Sequence, residues 1–354
     1  MNFENFLIRL SQHYEKQLPF ALFSQPDQNE VKAYLQETSE LHLNNKLNQD
    51  GFVMAPFNPQ EETVCIPASE STTLTAVFEK ETFPFHRVEI EETEQDEETH
   101  KKLVKRTIAF IKEGHSKKIV ISRRKKIQLH DFSIRELIVQ ILKVHPLAYR
   151  YLWYHPQTGI WCGATPETLV SVKENNFKTM ALAGTQPYKT GEITWRKKER
   201  DEQHFVTEAI VEDLKPFVED VQVGELETIR AGSLLHLKSD IWGKMKDTPG
   251  TLSKIISKMH PTPAVCGTPQ DISLDFIVKE EADSREFYTG YVGVLEDHAQ
   301  SAQFMVNLRS MKIDNGQVTI YIGGGITADS DAAEEWSETH NKMQTMLQVL
   351  KPML

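Results

Sequence analysis

Strand-like runs follow one another along this chain with only short polar turns between them, and single long helices interrupt them. The apolar runs Phe20-Ala21-Leu22-Phe23, Gly51-Phe52-Val53-Met54-Ala55-Pro56-Phe57 and Thr63-Val64-Cys65-Ile66 are separated by polar, proline-containing turns. Further strands are expected from Lys118, over 149–161 and 168–182, and at 288–296, 302–313 and 317–322. The last two are joined by Asp314-Asn315-Gly316, a hairpin signal. Helical periodicity covers 98–112, where Leu103, Val104, Ile108 and Ile111 share a face and Gly114 supplies the stop. It returns over 198–218, 251–259 and 331–350. Runs of strands punctuated by lone helices predict an α+β fold with mostly antiparallel sheets and outer helices. Residues 1–94 are expected to form a strand-rich part of the same fold, and 95–354 show no linker-like break. The acidic run 89–98 is expected to be a solvated surface segment.

The bulk numbers exclude several classes. With 354 residues, 39% apolar and 26% charged, the chain has the balance of a soluble globular protein. No apolar run reaches the ~18 residues of a membrane span, and the N-terminal stretch lacks the compact apolar core of a secretory signal. Cys65, Cys162 and Cys266 lie far apart with no metal-ligand spacing, as for reduced core thiols in a cytoplasmic protein. A net charge of −11 argues against nucleic acid as a partner.

Against that acidic background stands His115–Lys126, "HSKKIVISRRKK", with its six lysines and arginines around a β-branched run. It reads as a polyanion patch, as a strand with solvated ends, or as the place where one lysine does chemistry. Binding to a polyanion would weaken steeply with salt. Other local features carry chemistry of their own. On the helix with the apolar stripe Phe205, Val206, Ala209, Ile210, Leu214 and Phe217, Glu202 falls one turn back on the same side. Burying its charge costs several kcal/mol unless a cation, metal or proton compensates; a helix-start glutamate reaching water gains ~0.3–1 kcal/mol instead. Glu335, Glu338 and Lys342 occupy adjacent turns of the final helix, where an exposed Glu338–Lys342 pair is worth ~0.3–0.5 kcal/mol. Gly323-Gly324-Gly325 exposes backbone that either cradles an anion or merely turns, and its spacing is not the dinucleotide fingerprint. Glu167 follows a proline turn in Gly163-Ala164-Thr165-Pro166-Glu167, and Ala183-Gly184-Thr185 closes a strand. Local spacing decides none of these.

Together and in this order, the segments "KKIVISR", "GATPETLVS", "ALAGT", "KERDEQH", "HPTPAVCG", "REFYTGYVG", "VNLRS", "YIGGGIT" and "EEWSETHNKMQTML" resemble the chorismate-utilising enzymes. That family comprises isochorismate synthases, salicylate synthases and the large subunits of anthranilate and aminodeoxychorismate synthases. The resemblance spans about 95–350, and "GFVMAPF" extends it towards the isochorismate synthases. It implies a single large chorismate-binding domain and a monomeric, cytoplasmic enzyme whose partner is a small-molecule substrate, chorismate. It also implies Mg²⁺ held by Glu202 and Glu338, with Glu199 and Glu335 in or near the outer shell. Oxygen-rich, incomplete ligation suits Mg²⁺. Arg309, Lys342 and the loop at Gly323 and Gly325 would meet the enolpyruvyl carboxylate, and Gly184, Thr185, His236 and Ala264 would line the substrate.

Lys118 aligns with the residue that, in this family, selects the nucleophile: lysine in the enzymes that add water at C2, glutamine in those that add ammonia. Attacking water must lose a proton, so it needs a base; a lysine (ordinarily ~10.4) serves as one near neutrality only in special surroundings. Glu167 would be the general acid for the departing C4 hydroxyl, which calls for a raised pKa. The implied activity is Mg²⁺-dependent, reversible isomerisation of chorismate to isochorismate. Salicylate synthesis, which adds pyruvate elimination, is the alternative; anthranilate synthesis is disfavoured by Lys118. Isochorismate feeds both menaquinone and siderophore synthesis. Gln203, Ala282-Asp283-Ser284, Val265 and Cys266 depart from the family pattern without removing a catalytic group.

Overall fold

The computed structural model describes residues 1–81, 85–188, 193–231 and 234–354. Within them lie seven α-helices: α1 (Phe3–Glu15), α2 (Glu94–Lys112), α3 (Ile134–Val144), α4 (Lys197–Leu214), α5 (Thr251–Met259), α6 (Gln270–Glu280) and α7 (Ala332–Leu350). None is long and apolar enough to cross a membrane. The strands form two sheets whose paired strands are antiparallel. The first runs Gly267–Thr268, Lys118–Gln128, Gln317–Ile326, Ser310–Asp314, Gly159–Thr165, Tyr149–His155, Phe20–Ser24, Glu30–Gln36, Ser71–Val77. The second runs Val218–Val223, Leu234–Met245, Asn176–Pro187, Thr168–Lys173, Ser301–Val306, Tyr291–Glu296, Gly51–Ala55, Val64–Pro67, His42–Leu43, with Glu227–Ala231 also on Leu234–Met245. This is the expected α+β architecture.

The sheets face each other across an aromatic layer of Phe23, Phe52, Tyr151, Trp153, Trp161 and Tyr321, in which the Trp161 and Tyr321 rings stack 5.2 Å apart. Strand pleating explains how one run serves two cores. In Phe20–Ser24, Ala21 and Phe23 point into that layer, while Phe20 and Leu22 join the core beneath α1, α3 and α7. The outer face of the second sheet packs on α4 and α5, and α2 and α6 cover Ile119, Ile121 and Ile326.

Early and late strands are interleaved: Phe20–Ser24 pairs with Tyr149–His155 and Gly51–Ala55 with Tyr291–Glu296. The run expected as one strand over 302–313 is two, Ser301–Val306 in the second sheet and Ser310–Asp314 in the first. Arg309 turns the chain there with a φ of 48°, a left-handed backbone uncommon outside glycine. The chain also changes sheets between Gly159–Thr165 and Thr168–Lys173, with Pro166-Glu167 at the crossing. The crossings are tied together, Ala164 N donating to Arg309 O at 3.0 Å and Val306 N to Glu167 O at 2.9 Å.

The acidic run is solvated over most of its length, as expected, with Glu92 the exception. The Glu92 side chain is 12% exposed and accepts from Arg123, itself 8% exposed, at 2.9 Å; Lys125, which a strand with solvated ends would leave in water, reaches Glu92 at 3.2 Å. Arg123 also donates to Thr339 Oγ1 at 2.9 Å and lies 4.1 Å over the Trp336 ring, pinning α7 to its strand. Arg124 is likewise covered, over Tyr321, whereas Lys117 and Lys126 are exposed as expected. Arg123→Met, which leaves Glu92 to Lys125 and removes the bond to Thr339, is expected to lower stability in urea by about 1–3 kcal/mol. Lys126→Met is expected to change it by less than ~0.5 kcal/mol.

Candidate active site

Strand Lys118–Gln128 runs beside Gln317–Ile326, with Gly323 opposite Ser122, Gly324 opposite Ile121 and Gly325 opposite Val120. Ile119 and Ile121 enter the core under α2 and α6, so the pleat turns Lys118 to the other face. The glycines give clearance: a Cβ on Gly325 would lie 3.0 Å from Lys118 Cε, and one on Gly324 3.2 Å from Glu335 Oε2. Gly323 presents its carbonyl to Lys342 Nζ at 2.8 Å.

From α7, Glu335, Glu338, Lys342 and Thr345 form one stripe at helical spacing. Lys342 Nζ meets Glu338 Oε1 at 2.7 Å, and Thr345 Oγ1 accepts from Arg309 at 3.0 Å. Glu335 accepts from Ser330 Oγ at 2.8 Å; burial first, and then the Glu338 charge, raise its carboxyl above the ordinary range. From α4, Glu202 Oε1 lies 3.6 Å from Lys118 Nζ, their side chains 35% and 25% exposed. Glu199, one turn back, is buried, paired with Arg196 and packed on Gly184, whose φ of 72° and absent Cβ allow the approach.

Glu167 sits in the sheet crossing, buried. Burial pushes its carboxyl up to about 7, against the lowering effect of Lys118. His236, opposite Thr185 in the second sheet, is held down at about 4 by burial and by Lys342 and Arg309, so it is neutral at pH 7. The Thr185 side chain lies outside the described residues.

Lys118, Glu167, Glu202 and Ala264 line one cavity of about 480 Å³, within the ordinary range of small-ligand sites. Arg309, Lys342 and His236 are not among its lining residues; they gather beside it around Gly323, where the electrostatic coupling of His236 to Lys342, Arg309 and Lys118 places all four in one neighbourhood. Among the described residues no three His, Cys, Asp or Glu side chains stand ready to share a metal. Glu202 on α4 and Glu338 on α7, the latter with Glu335 a turn away, are hard oxygen donors of the kind Mg²⁺ accepts while keeping several waters. Sequence reasoning missed Tyr288, buried, stacked on Tyr321 and with its hydroxyl at the Gly323 backbone; a tyrosine within the apolar run "EFYTGYVG" was the only available signal.

A buried acid that holds its proton near neutrality, an amine in the same cavity and a cluster of cations beside it suit acid–base chemistry on a small anion. The comparisons agree with that chemistry. A profile of chorismate binding enzymes matches residues 52–351. An isochorismate synthase of Bacillus subtilis is 29% identical over 289 residues, 77% of this chain and 72% of that relative. A salicylate biosynthesis isochorismate synthase of Pseudomonas aeruginosa is 29% identical over 253 residues, 69% of this chain and 52% of that relative, so the chain spans about half its length. The fold matches a crystal structure described as a putative 2,3-dihydroxybenzoate-specific isochorismate synthase from Bacillus anthracis, with a TM-score of 0.77 and 24% identity, over 98% of this chain and 99% of that one.

Proposed function

Because the chain belongs to the chorismate binding enzyme family, we propose that it converts chorismate to isochorismate, reversibly and with Mg²⁺. The observation that carries this is one cavity lined by both Lys118 and the buried Glu167, whose carboxyl keeps its proton close to neutral pH. Lys118 takes a proton from a water molecule as the water oxygen bonds to C2. The ring double bond shifts, the C4–O bond breaks, and Glu167 gives its proton to the departing hydroxyl. One water enters and one leaves, so the result is an isomerisation. Arg309, Lys342 and the Gly323–Gly325 backbone hold the enolpyruvyl carboxylate, and neutral His236 lines the substrate without adding charge. Gly184, Thr185 and Ala264 complete the walls.

Glu202 and Glu338 would hold the Mg²⁺, with Glu199 and Glu335 close by, and the bound ion would supply the positive centre for the ring carboxylate. Isochorismate made by this chain would serve menaquinone or siderophore synthesis, since a menaquinone-specific and a vibriobactin-specific isochorismate synthase both match it. The Pseudomonas relative, an isochorismate synthase of salicylate biosynthesis, raises a second reading, in which pyruvate elimination follows and salicylate is released.

Chromatography of the products of chorismate, Mg²⁺ and purified protein tests all of this. Isochorismate is expected, with turnover falling at least 100-fold in EDTA and returning on addition of Mg²⁺. Salicylate alone would establish the second reading; no turnover would refute both.

A further inference from the structure

Strand Lys118–Gln128 has Gln317–Ile326 along one edge, but on the other only Gly267–Thr268, opposite Ile119 and Lys118. Beyond that short partner the open edge is completed largely by side chains. The Val120 N–H still donates to Cys266 O at 2.8 Å. The Val120 carbonyl, however, accepts from Arg285 Nη2. The Ser122 N–H donates to Glu281 Oε1 at 2.6 Å, and Ser122 Oγ donates to Oε2 at 2.9 Å. Glu281 and Arg285, just after α6, are paired with each other, their side chains 6% and 2% exposed. Arg285 Nη1 goes on to Val265 O at 3.0 Å and to Thr289 Oγ1 at 3.2 Å.

The pair thus stands where a further strand would, across Lys118–Gln128 from Gly325 (opposite Val120) and Gly323 (opposite Ser122). It also ties down the carbonyl of Val265, next to the cavity-lining Ala264. A buried ion pair is a poor device for stability, because desolvation offsets the attraction and apolar side chains of like volume do as well. What apolar side chains cannot do is hold backbone groups of two segments in fixed directions, as the planar, five-donor guanidinium can. We propose that Glu281 and Arg285 are positioning residues. They set how far the Lys118 amine enters the cavity and hold the Gly323–Gly325 backbone level with it. The effect on turnover rests on the proposed function; the clamp on the two strands does not.

The double variant Glu281→Leu/Arg285→Met removes both charges at once and leaves neither unpaired. In full-length protein with an unchanged circular dichroism spectrum, kcat for isochorismate formation is expected to fall at least about 30-fold while KM stays within about threefold. Hydrogen exchange, read by mass spectrometry, is expected to quicken at least about 10-fold over 119–123 and 322–326. Over 149–161, in the same sheet, it is expected to stay unchanged. If the double variant does not fold, Arg285→Lys decides. Its ammonium keeps the charge but cannot span Glu281, Val120 and Val265 together, so kcat should fall about 10-fold with the same local change in exchange. A folded variant with kcat within about threefold of its parent would overturn the proposal. So would exchange that is unchanged, or quickened alike in all three segments, since the pair would then serve stability alone. If the wild-type protein does not turn over chorismate, the proposed function fails alone, and the exchange measurements still decide the clamp.

Discussion

Lys118→Gln is expected to abolish isochorismate formation, lowering kcat by about 10²–10⁴, the usual worth of a positioned acid–base group. The amine is placed by three independent constraints. The strand that begins at Lys118 is pinned by its ladder to Gln317–Ile326. Its pleat is fixed by Ile119 and Ile121 in the core. The bare Gly325 leaves room for the lysine stem. A glutamine keeps the strand and much of the stem but cannot accept a proton from water. The fold and Mg²⁺ binding should therefore survive, and chorismate should still bind, as read by quenching of intrinsic tryptophan fluorescence. Wild-type rates in the variant would remove Lys118 from the mechanism.

Glu167→Gln is expected to have two opposed effects. It removes the proton donor, so kcat should again fall by about 10²–10⁴. It should also make the protein more stable at alkaline pH. The carboxyl ordinarily titrates at 4.5 and is pushed up to about 7 in the folded chain, by burial and against Lys118. The folded state thus favours the protonated form. That contribution is complete below pH 4.5, declines as pH rises, and is gone above pH 7, where the folded chain carries a buried charge the unfolded chain would rather solvate. The difference is on the order of 3 kcal/mol, at about 1.4 kcal/mol per tenfold change in proton affinity. Urea unfolding should show the variant level with its parent at pH 4 and ahead of it at pH 8. In the parent, kcat/KM should fall as pH rises past 7. A variant that is less stable at pH 8 would show that the carboxylate is satisfied in the folded chain and is not the reservoir of protons.

Much of this was legible in residue order. The helices over 251–259 and 331–350 and the Asp314-Asn315-Gly316 hairpin announce themselves by period and turn chemistry, and the structure has them at Thr251–Met259, Ala332–Leu350 and between two paired strands. The second helix begins earlier than expected, at Glu94, because Thr93 and Asp96 form a capping box within the acidic run. Besides Phe3–Glu15, two helices went unread. In Ile134–Val144 the β-branched residues resemble a buried strand, and Gln270–Glu280 carries apolar residues that do not gather on one face. The single strand expected over 302–313 hides a sheet crossing, because nothing local marks Arg309 for a left-handed turn. The same limit applies to the site. Glu202 was conspicuous as a carboxylate on an apolar face, whereas Glu338 read equally well as half of an exposed pair; what brings Glu167 and Arg309 between the sheets is long-range hydrogen bonding between two crossings about 140 residues apart. Phe205, read as part of a buried stripe, is exposed because that side of α4 borders the open cavity rather than the sheet.

The pairing of Gly51–Ala55 with Tyr291–Glu296 also sets a timetable for synthesis. At about 5–20 residues per second, the ribosome takes roughly 12–48 s to make the later strand once the earlier one has emerged. Throughout that interval "GFVMA" has only Val64–Pro67 as a partner, and its other edge, uncharged and of high strand propensity, is open to other nascent chains. Yield in the cell should therefore respond to chaperone supply and translation rate more than to the stability of the finished enzyme.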